Sequence, residues 1–400
     1  MIKLTKRVSE ISPSMTLAMS AKSAEMKAAG EKVINFGVGE PDFNTPVNII
    51  QAAKDAMDKG YTKYVAAAGL PALKKAVCEK FKKDNNLDYK PSQIVICNGG
   101  KHAILNAVAA VVEEGDEVII PSPYWLTYPE IVRFFGGVPV YVETTRENGF
   151  KMTAAQLEAA ITDKTVMLIF NSPNNPTGAV YSEEEIKAIA AVCEKHELCV
   201  LSDEMYEKLV YDGLRHYSIA EVSPKMKELT ILVNGVSKSY AMTGWRLGYL
   251  AAAEPVAKAI GAFQSHATSN VNTITQYASV AALEGDQTPM HEMVKAFAAR
   301  RERMIEILDG YKAIGLDYVK PEGAFYVMLV VDKFYGKSYN GKKIKGSMDF
   351  AMELLAGEKV AATPGICFGD DSCIRLSYAL SMEEMEEGLA RIKAFCSGLK

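Results

Sequence analysis

A lysine and an arginine stand among small and apolar residues in a run that could carry covalent chemistry. The run reads NGVSKSYAMTGWRLGY over residues 234–249 and contains Lys238 and Arg246. Neither charge has the polar surroundings of a solvated surface residue. A lysine with restricted hydration has a lowered pKa, which leaves its neutral amine free to form a Schiff base. Arg246 would supply a permanent positive charge for a phosphate.

A glycine turn at residues 98–101 separates an apolar run from a helical pattern. Gly99 and Gly100 permit a sharp turn, and the free N–H groups at the start of a helix bind anions. The turn is not a P-loop, because Lys101 is followed by His102. Taken alone, it fits a phosphate site and an ordinary strand-to-helix turn about equally.

Polar groups also follow two other apolar runs. The sequence NSPNNPTG over residues 171–178 includes Asn175, and SDEMY over residues 202–206 includes Asp203. Ligands of open α/β sheets bind at the carboxyl ends of the strands. The first motif fits a rigid ligand-binding loop or turn chemistry alone. Asp203 is either solvated at the rim of a sheet or held for a cationic partner.

A further arginine lies inside an apolar run near the C-terminus. Arg375 is flanked by Ile374 and Leu376. Because an unpaired buried guanidinium is costly, Arg375 should face a carboxylate. That carboxylate belongs either to a ligand or to an internal aspartate.

The elements that must position these groups alternate short β-branched runs with longer helical patterns from Val47 to about Ala282. This alternation predicts βα units on a mainly parallel sheet that is covered on both faces. Helices are predicted at 101–112 and 183–194. Seven strands are predicted, at 93–97, 117–120, 138–142, 166–170, 199–201, 230–233 and 247–251.

The pattern changes near residue 285. An amphipathic stretch at 291–308 precedes two predicted strands, at 325–329 and 374–376, and a last helix from Ser381. The leading segment, with a helix at 15–29 and an apolar run at 33–36, is too short to fold alone. We predict an α/β protein with a large domain at 47–285 and a smaller α/β domain made of 1–46 plus 286–400.

Composition and charge bear on several classes of protein. The 400 residues are 48% hydrophobic and 24% charged, which is typical of a globular chain with a substantial core. With 45 basic and 49 acidic residues the net charge is −4, so no nucleic-acid partner is expected. No apolar run approaches the roughly 20 residues of a membrane span. We expect no membrane partner and a cytoplasmic location. The spacing of the cysteines and histidines predicts no metal site.

The run around Lys238 resembles the pyridoxal-phosphate attachment signature of class I aminotransferases. The glycine turn and the motifs that contain Asn175 and Asp203 recur in that family in the same chain order, and the resemblance extends over essentially the whole chain. Four motifs in order are far more specific than any one of them. The resemblance implies the fold-type I architecture and a pyridoxal 5'-phosphate cofactor.

The resemblance also implies roles for individual residues. Lys238, Asp203 and Tyr206 would be catalytic: Lys238 would bind the cofactor covalently and move a proton, and Asp203 would keep the pyridine nitrogen protonated. Asn175 and Tyr206 would hydrogen-bond the phenolic oxygen. The phosphate would be held by the glycine turn with two later residues, namely Gly99, Gly100, Lys101, Ser237 and Arg246.

Other implied roles concern the ring, the partner subunit and the substrate. Trp125 would stack on the cofactor ring, although a buried core position is the commoner fate of tryptophan. Tyr64 matches a tyrosine that family members send into the partner's phosphate site, which implies a homodimer with composite active sites. In the family, Arg375 holds the substrate α-carboxylate with Asn175 and the backbone of Gly39 beside it.

The expected substrate follows from two branches of the family. One aspartate-specific branch uses a partner arginine that lies beyond the attachment lysine, but this chain has no arginine between Arg246 and Arg300. The chain is more similar to a bacterial branch of aspartate aminotransferases, in which Lys101 and Thr16 match the residues that recognise the distal carboxylate. The expected reaction is reversible ping-pong transfer of the amino group from L-aspartate to 2-oxoglutarate.

Three alternatives belong beside this expectation. Prephenate and aromatic-amino-acid aminotransferases share the same residues. A non-catalytic ligand sensor would need a DNA-binding domain, for which a resemblance beginning within about the first 15 residues leaves no room. A nucleotide-dependent enzyme would need serine or threonine and acidic metal ligands that the glycine turn lacks.

Overall fold

The structure, a computed structural model, describes residues 2–9, 11 and 15–400, and of residues 15–18 and 20 it describes the backbone alone. The helices are α1 (Lys6–Ser9), α2 (Met15–Ala28), α3 (Val47–Asp58), α4 (Pro71–Asn85), α5 (Gly100–Val111), α6 (Thr127–Phe134), α7 (Ala154–Ala160), α8 (Glu183–His196), α9 (Pro224–Leu229), α10 (Glu254–Ala267), α11 (Thr273–Glu284), α12 (Thr288–Asp309), α13 (Ser347–Glu358) and α14 (Met382–Gly398). The strands are β1 (Ile34–Asn35), β2 (Ile94–Cys97), β3 (Glu117–Ser122), β4 (Val138–Glu143), β5 (Thr165–Asn171), β6 (Cys199–Asp203), β7 (Thr230–Gly235), β8 (Gly248–Ala251), β9 (Asp317–Tyr318), β10 (Tyr326–Val330), β11 (Ser338–Tyr339), β12 (Lys342–Lys343), β13 (Val360–Ala361), β14 (Thr363–Pro364) and β15 (Cys373–Ser377).

The largest sheet has seven strands in the order β2-β8-β7-β6-β5-β3-β4. Strand β8 runs antiparallel to its neighbours β2 and β7, and the other pairs are parallel. This confirms the predicted mainly parallel, seven-stranded sheet. Each predicted strand is present, with ends that differ by at most two residues.

Alternate residues of the strands pack on opposite faces of this sheet. Val118 and Ile120 of β3 belong to a buried cluster that includes Ile104 of α5. Ile119 between them belongs to another cluster, with Ile186 of α8. The sheet therefore carries helices on both faces, as the apolar runs predict.

The C-terminal part of the chain forms a second sheet, which is antiparallel and has the strand order β14-β15-β10-β9. The leading segment joins this part through β1, where Ile34 pairs with Val360 of β13. The predicted strands at 325–329 and 374–376 are confirmed as β10 and β15. The division into domains at 47–285 and 1–46 plus 286–400 stays a prediction.

Local signals explain where several helices begin. Ser182 and Ser381 each accept a hydrogen bond from a backbone N–H in the first turn of the helix that follows, which satisfies a donor that otherwise has no partner. Helix α12 begins at Thr288, three residues before the predicted start, because Pro289 fits the first turn of a helix. Among the described residues, no helix is long and apolar enough to cross a membrane.

The topology brings the carboxyl ends of β2, β5, β6 and β7 to one edge of the large sheet, together with the amino end of β8. At this edge Asn171 pairs with Asp203, and Gly235 pairs with Gly248. The segments that follow these strands therefore lie side by side.

Candidate active site

A cavity of about 400 Å³ opens at this edge of the large sheet. Most of the predicted site residues line it: Gly39, Gly100, Lys101, Trp125, Asn175, Asp203, Tyr206, Ser237, Lys238, Arg246 and Arg375. They come from segments between residues 39 and 375, so the fold gathers them from almost the whole chain.

The Lys238 side chain is half-buried, and its amine points at the leading segment of the chain. Nζ donates a hydrogen bond of 2.5 Å to the carbonyl oxygen of Gly39. Burial lowers the pKa of Lys238 to about 8, although the nearby Glu40 carboxylate opposes this change. The amine is therefore neutral more often than that of a solvated lysine, as expected for a nucleophile.

Asp203 ends β6 with its carboxylate buried. Oδ2 accepts a hydrogen bond of 2.7 Å from the Tyr128 hydroxyl, and Oδ1 accepts one of 3.2 Å from the backbone N–H of Met205. The Asn171 side chain donates to the Asp203 carbonyl at 2.8 Å. Burial raises the pKa of Asp203 to about 6, while the bond from Tyr128 lowers it. Asp203 is thus held in the interior and is not solvated at the rim.

Tyr206 and Asn175 face the cavity from neighbouring loops. The Tyr206 hydroxyl lies 2.8 Å from the hydroxyl of Tyr326. The backbone N–H of Asn175 donates to Asn171 Oδ1, and Asn175 Oδ1 accepts a hydrogen bond of 2.9 Å from Arg375. Asn175 therefore has a fixed orientation next to the guanidinium.

Arg375 lies in β15 and is 3% exposed. Nη2 donates a hydrogen bond of 2.9 Å to the carbonyl oxygen of Gly37. The backbone of Gly39, which is predicted to lie beside the substrate carboxylate, accepts the bond from Lys238. Within the described residues Arg375 forms no ion pair, and its Nε has no hydrogen-bond partner. A buried guanidinium with an unpaired donor is suited to the carboxylate of a ligand.

The glycine turn lies at the start of α5, beside Arg246. A Cβ atom on Gly99 would lie 2.6 Å from Arg246 Nη2, and one on Gly100 would clash with Met205. Arg246 itself is exposed, which differs from the expectation that both charges of its run are shielded. The guanidinium lies over the turn, at the side of the cavity that faces solvent, and Nη1 donates to the carbonyl oxygen of Thr243. Backbone N–H groups and a cation therefore converge as an anion site requires.

Lys101 and Trp125 form one wall of the cavity. Lys101 Nζ lies 5.0 Å from the centre of the Trp125 ring. Loss of hydration and the positive charge of Arg246 both lower the pKa of Lys101. Trp125 is half-buried and packs edge-on against Tyr128, so its ring lines the cavity and is not enclosed in the core.

Two predicted site residues whose side chains the structure describes, Tyr64 and Gly99, are not part of the cavity lining. Tyr64 is 89% exposed. Gly99 contributes through its contact with Arg246 and not as a lining residue. Thr16 lies in α2, and its side chain is outside the described residues.

The sequence did not identify Tyr128 and Tyr326 as part of the site, although both line the cavity and bond predicted site residues. Tyr128 occupies α6, and Tyr326 begins β10. An aromatic residue in a helix or an apolar strand is usually a core residue, and the partner of its hydroxyl depends on tertiary contacts. Neither position carries a signal in the sequence.

Behind Asp203 and Tyr206 lies a buried polar cluster. Glu204, Glu207 and His216 are close enough to share a metal ion. However, Lys80 Nζ lies 2.5 Å from Glu207 Oε1, and His216 Nε2 lies 2.9 Å from Glu204 Oε2. An ammonium group therefore already neutralises Glu207.

The sequence between residues 31 and 392 matches the model of the family described as "Aminotransferase class I and II". The chain belongs to this aminotransferase family. The aminotransferase is 49% identical over 398 residues to an aspartate aminotransferase of Bacillus subtilis (strain 168), which covers 98% of this chain and 99% of the relative. It is 46% identical over 392 residues to a probable aspartate/prephenate aminotransferase of Aquifex aeolicus, which covers 98% of each chain.

Solved structures of aspartate aminotransferases have the same fold. The structure of the Rhizobium meliloti enzyme superposes with a TM-score of 0.95, at 44% identity and full coverage of both chains. The Thermus thermophilus enzyme with maleate superposes with a TM-score of 0.92, at 39% identity, and covers 99% of this aminotransferase and 100% of the neighbour. These similarities confirm the predicted family and architecture.

Proposed function

We propose that this chain is an aspartate aminotransferase that uses pyridoxal 5'-phosphate carried by Lys238. One observation supports this above all others. The buried Arg375 guanidinium lines the same cavity as the Lys238 amine and the Asp203 carboxylate. Among the described residues it has no carboxylate partner, and its Nε is unpaired. Relatives of the same length that carry this name support the choice of aspartate.

The residues present fit this cofactor. The turn before α5 leaves room for a phosphate, since a Cβ atom on Gly99 would fill the space beside Arg246. The Asp203 carboxylate suits a protonated ring nitrogen, and the Lys238 amine suits an aldehyde. When bound, the cofactor supplies an aldehyde that accepts an amino group and a ring that withdraws electrons from the substrate.

The residues of the chain would then share the work of the transfer. Arg375 binds and orients the α-carboxylate of the amino acid through its Nε and Nη groups. Once the amino group of the substrate has displaced it from the cofactor aldehyde, Lys238 Nζ would take the proton from the α-carbon and pass it to the cofactor. This role requires a neutral amine, which burial favours by lowering the pKa of Lys238 to about 8. Asp203 holds negative charge beside the ring nitrogen. Aspartate would leave as oxaloacetate first. 2-Oxoglutarate would then enter, accept the amino group and depart as glutamate.

Lys101 would recognise the distal carboxylate of the substrate, with Thr16 as its predicted companion. A Lys101→Gln variant should lose about tenfold or more in kcat/KM for aspartate, while kcat/KM for phenylalanine falls less. Lys164→Gln, a change of an exposed lysine elsewhere, serves as the control. Equal losses for the two substrates would contradict a role for Lys101 in selectivity.

Prephenate is a second candidate for the amino acceptor, because several relatives at 44–46% identity are called aspartate/prephenate aminotransferases. A panel of keto acids with a fixed amino donor separates the candidates. If neutral aromatic acids outperform oxaloacetate by about tenfold, or roughly 1.4 kcal/mol, the assignment to aspartate is wrong.

We also propose a homodimer with composite active sites. Tyr64 is 89% exposed and does not line the cavity of its own chain, as required of a residue that completes the partner's site. The predicted cytoplasmic location stays a prediction.

The decisive experiment is an absorption spectrum of the purified protein after loading with pyridoxal 5'-phosphate. Aspartate should remove the band of the bound aldehyde, and 2-oxoglutarate should restore it. Lys238→Ala should abolish this cycle, while Lys164→Ala should retain it. Transamination by Lys238→Ala at the rate of the unaltered protein would overturn the proposal.

A further inference from the structure

We propose that Tyr326 is a positioning residue that serves both halves of the site. Its hydroxyl orients Tyr206 toward the cofactor, and its ring holds the Arg375 guanidinium in place for the substrate carboxylate. This inference rests on the proposed function, because it gives Tyr326 a role toward the cofactor and substrate of that reaction.

The backbone places Tyr326 between the two groups. Strands β10 and β15 are antiparallel, with Tyr326 opposite Ser377 and Met328 opposite Arg375. Tyr326 and Arg375 are therefore diagonal neighbours on adjacent strands, a separation that long side chains bridge. Tyr326 is 1% exposed, so its side chain is closely packed except where it borders the cavity.

The hydroxyl contact has a definite direction if Tyr206 serves the cofactor. The two hydroxyl oxygens lie 2.8 Å apart, and each hydroxyl has one hydrogen to donate. Tyr206 can donate into the cavity only if its own hydrogen is not used on Tyr326. Tyr326 must therefore be the donor and Tyr206 the acceptor. In such a chain the first bond strengthens the second.

Burial and the charge of Arg375 act on both hydroxyls. Burial raises the pKa of Tyr206 and of Tyr326, and the positive charge of Arg375 opposes the rise at each of them. Both side chains therefore stay protonated at neutral pH, so each keeps one hydrogen to donate.

The ring of Tyr326 makes the second contact. The Arg375 guanidinium carbon lies 4.3 Å from the centre of this ring and 4.9 Å from the centre of the Phe368 ring. A cation over an aromatic face is held most strongly where water is excluded. With the bonds to Asn175 and Gly37, the two rings fix the plane in which Arg375 presents its unpaired Nε.

Two substitutions separate the roles. A hydrogen bond donated to the unprotonated form of a group lowers its pKa. Tyr326→Phe should weaken the hydrogen bond that Tyr206 donates to the cofactor. The apparent pKa at which the absorption of the bound cofactor changes, measured without substrate, should therefore rise by about 0.3 to 0.7 pH unit. In the same variant the dissociation constant for succinate, measured from its effect on this spectrum, should change less than about twofold. Tyr326→Leu, which also removes the ring, should weaken succinate binding by about 3- to 30-fold.

Matched controls test whether the effects pass through the named partners. Tyr378→Phe removes a buried hydroxyl of the same cluster that bonds the Ala324 carbonyl, and it should leave the absorption pKa unchanged. In a Tyr206→Phe background, Tyr326→Phe should add no further shift. Tyr326→Met provides a second variant without the ring, in case the leucine variant does not fold, and the melting temperature reports folding for each.

The outcomes are distinct. An unchanged absorption pKa in Tyr326→Phe, an equal shift in Tyr378→Phe, or an additive shift in the Tyr206→Phe background would each overturn the role of the hydroxyl. Succinate binding of unaltered strength in a folded variant without the ring would overturn the role of the ring. If the unaltered protein gains no absorption that depends on Lys238, the proposed function itself is wrong, and that failure appears before any variant of Tyr326 is compared.

Discussion

The Tyr128 hydroxyl donates a hydrogen bond of 2.7 Å to Asp203 Oδ2, and both side chains are buried. This contact links α6 to the end of β6 and stabilises the ionised form of a carboxylate whose burial alone would favour the neutral form. The charge of Asp203 is therefore maintained by a residue that need not touch the substrate.

Tyr128→Phe should shift the acid limb of the pH profile of kcat/KM to higher pH. Loss of the donor raises the pKa of Asp203, so a higher pH is needed to ionise it, and a shift of about 1 pH unit is expected. Tyr181→Phe removes another buried hydroxyl, one that accepts the backbone N–H of Met152, and should leave the profile in place. A profile that does not move in Tyr128→Phe would show that the contact is only structural.

Asp203→Asn should stabilise the protein without cofactor while it abolishes transamination. The pKa of Asp203 is raised from 3.8 to about 6, so its ionisation favours the unfolded chain. This destabilisation is absent below pH 3.8, grows as the pH rises and is complete above about pH 6. At pH 7.5 the amide should gain about 1 to 2 kcal/mol after the loss of one hydrogen bond.

Calorimetry of the cofactor-free protein at pH 7.5 and at pH 4 measures this effect. The gain in stability of Asp203→Asn should be present at pH 7.5. It should be small at pH 4, where the Asp203 carboxylate of the unaltered protein is already neutral. A variant with lower stability than the parent at pH 7.5 would contradict the raised pKa.

The buried pair of Lys80 and Glu207 should matter for stability. Burial raises the pKa of Glu207, but the charges of Lys80 and Lys208 outweigh it and lower the pKa to about 2. Lys80→Met leaves this carboxylate without its closest partner and should cost about 3 to 5 kcal/mol in chemical denaturation.

The double variant Lys80→Met/Glu207→Met should recover much of that loss, because it removes both charges together. Lys187→Met, which breaks the exposed pair with Glu183, is the matched control and should barely change the melting temperature. If the double variant is as unstable as Lys80→Met, the cost arises from packing and not from the unpaired charge.

Two defective variants should complement each other if the sites are composite. Tyr64→Ala lacks the residue donated to the partner, and Lys238→Ala lacks the amine. When equal amounts of the two variants are unfolded and refolded together, half of the dimers contain one chain of each variant. Each mixed dimer has one intact site out of two, so the mixture should have about a quarter of the normal activity. Activity no greater than the mean of the two separate variants would contradict shared sites, and light scattering checks the dimer independently.

Most of the large sheet could be predicted because its strands are short, β-branched and buried on both faces. The gathering of Asn175, Asp203 and Lys238 also followed from the sequence, since each belongs to a segment at the end of a strand, and such ends meet at one edge. For these residues local pattern and position in the fold agree.

Other parts of the site depend on contacts that a linear pattern does not contain. Tyr128 and Tyr326 have the sequence pattern of core aromatics, and their hydroxyl partners are set by how α6 and β10 dock against the loops. The bond from Arg375 to the carbonyl oxygen of Gly37 is likewise absent from the sequence pattern, because the path of the backbone decides which carbonyl faces the guanidinium. Arg246 is exposed since its guanidinium reaches over the glycine turn.

The antiparallel strand β8 has a consequence for how the protein is made. Lys238 lies in a loop whose two ends, Gly235 and Gly248, pair with each other, and a Cβ atom on Gly248 would lie 2.6 Å from the backbone nitrogen of Gly100. A nascent chain that has emerged from the ribosome through this loop, but not yet as far as Gly248, already carries Asp203, Asn175 and Lys238, while the loop has no second anchor. The cofactor that we propose for Lys238 would therefore be secured only after β8 has inserted between β2 and β7.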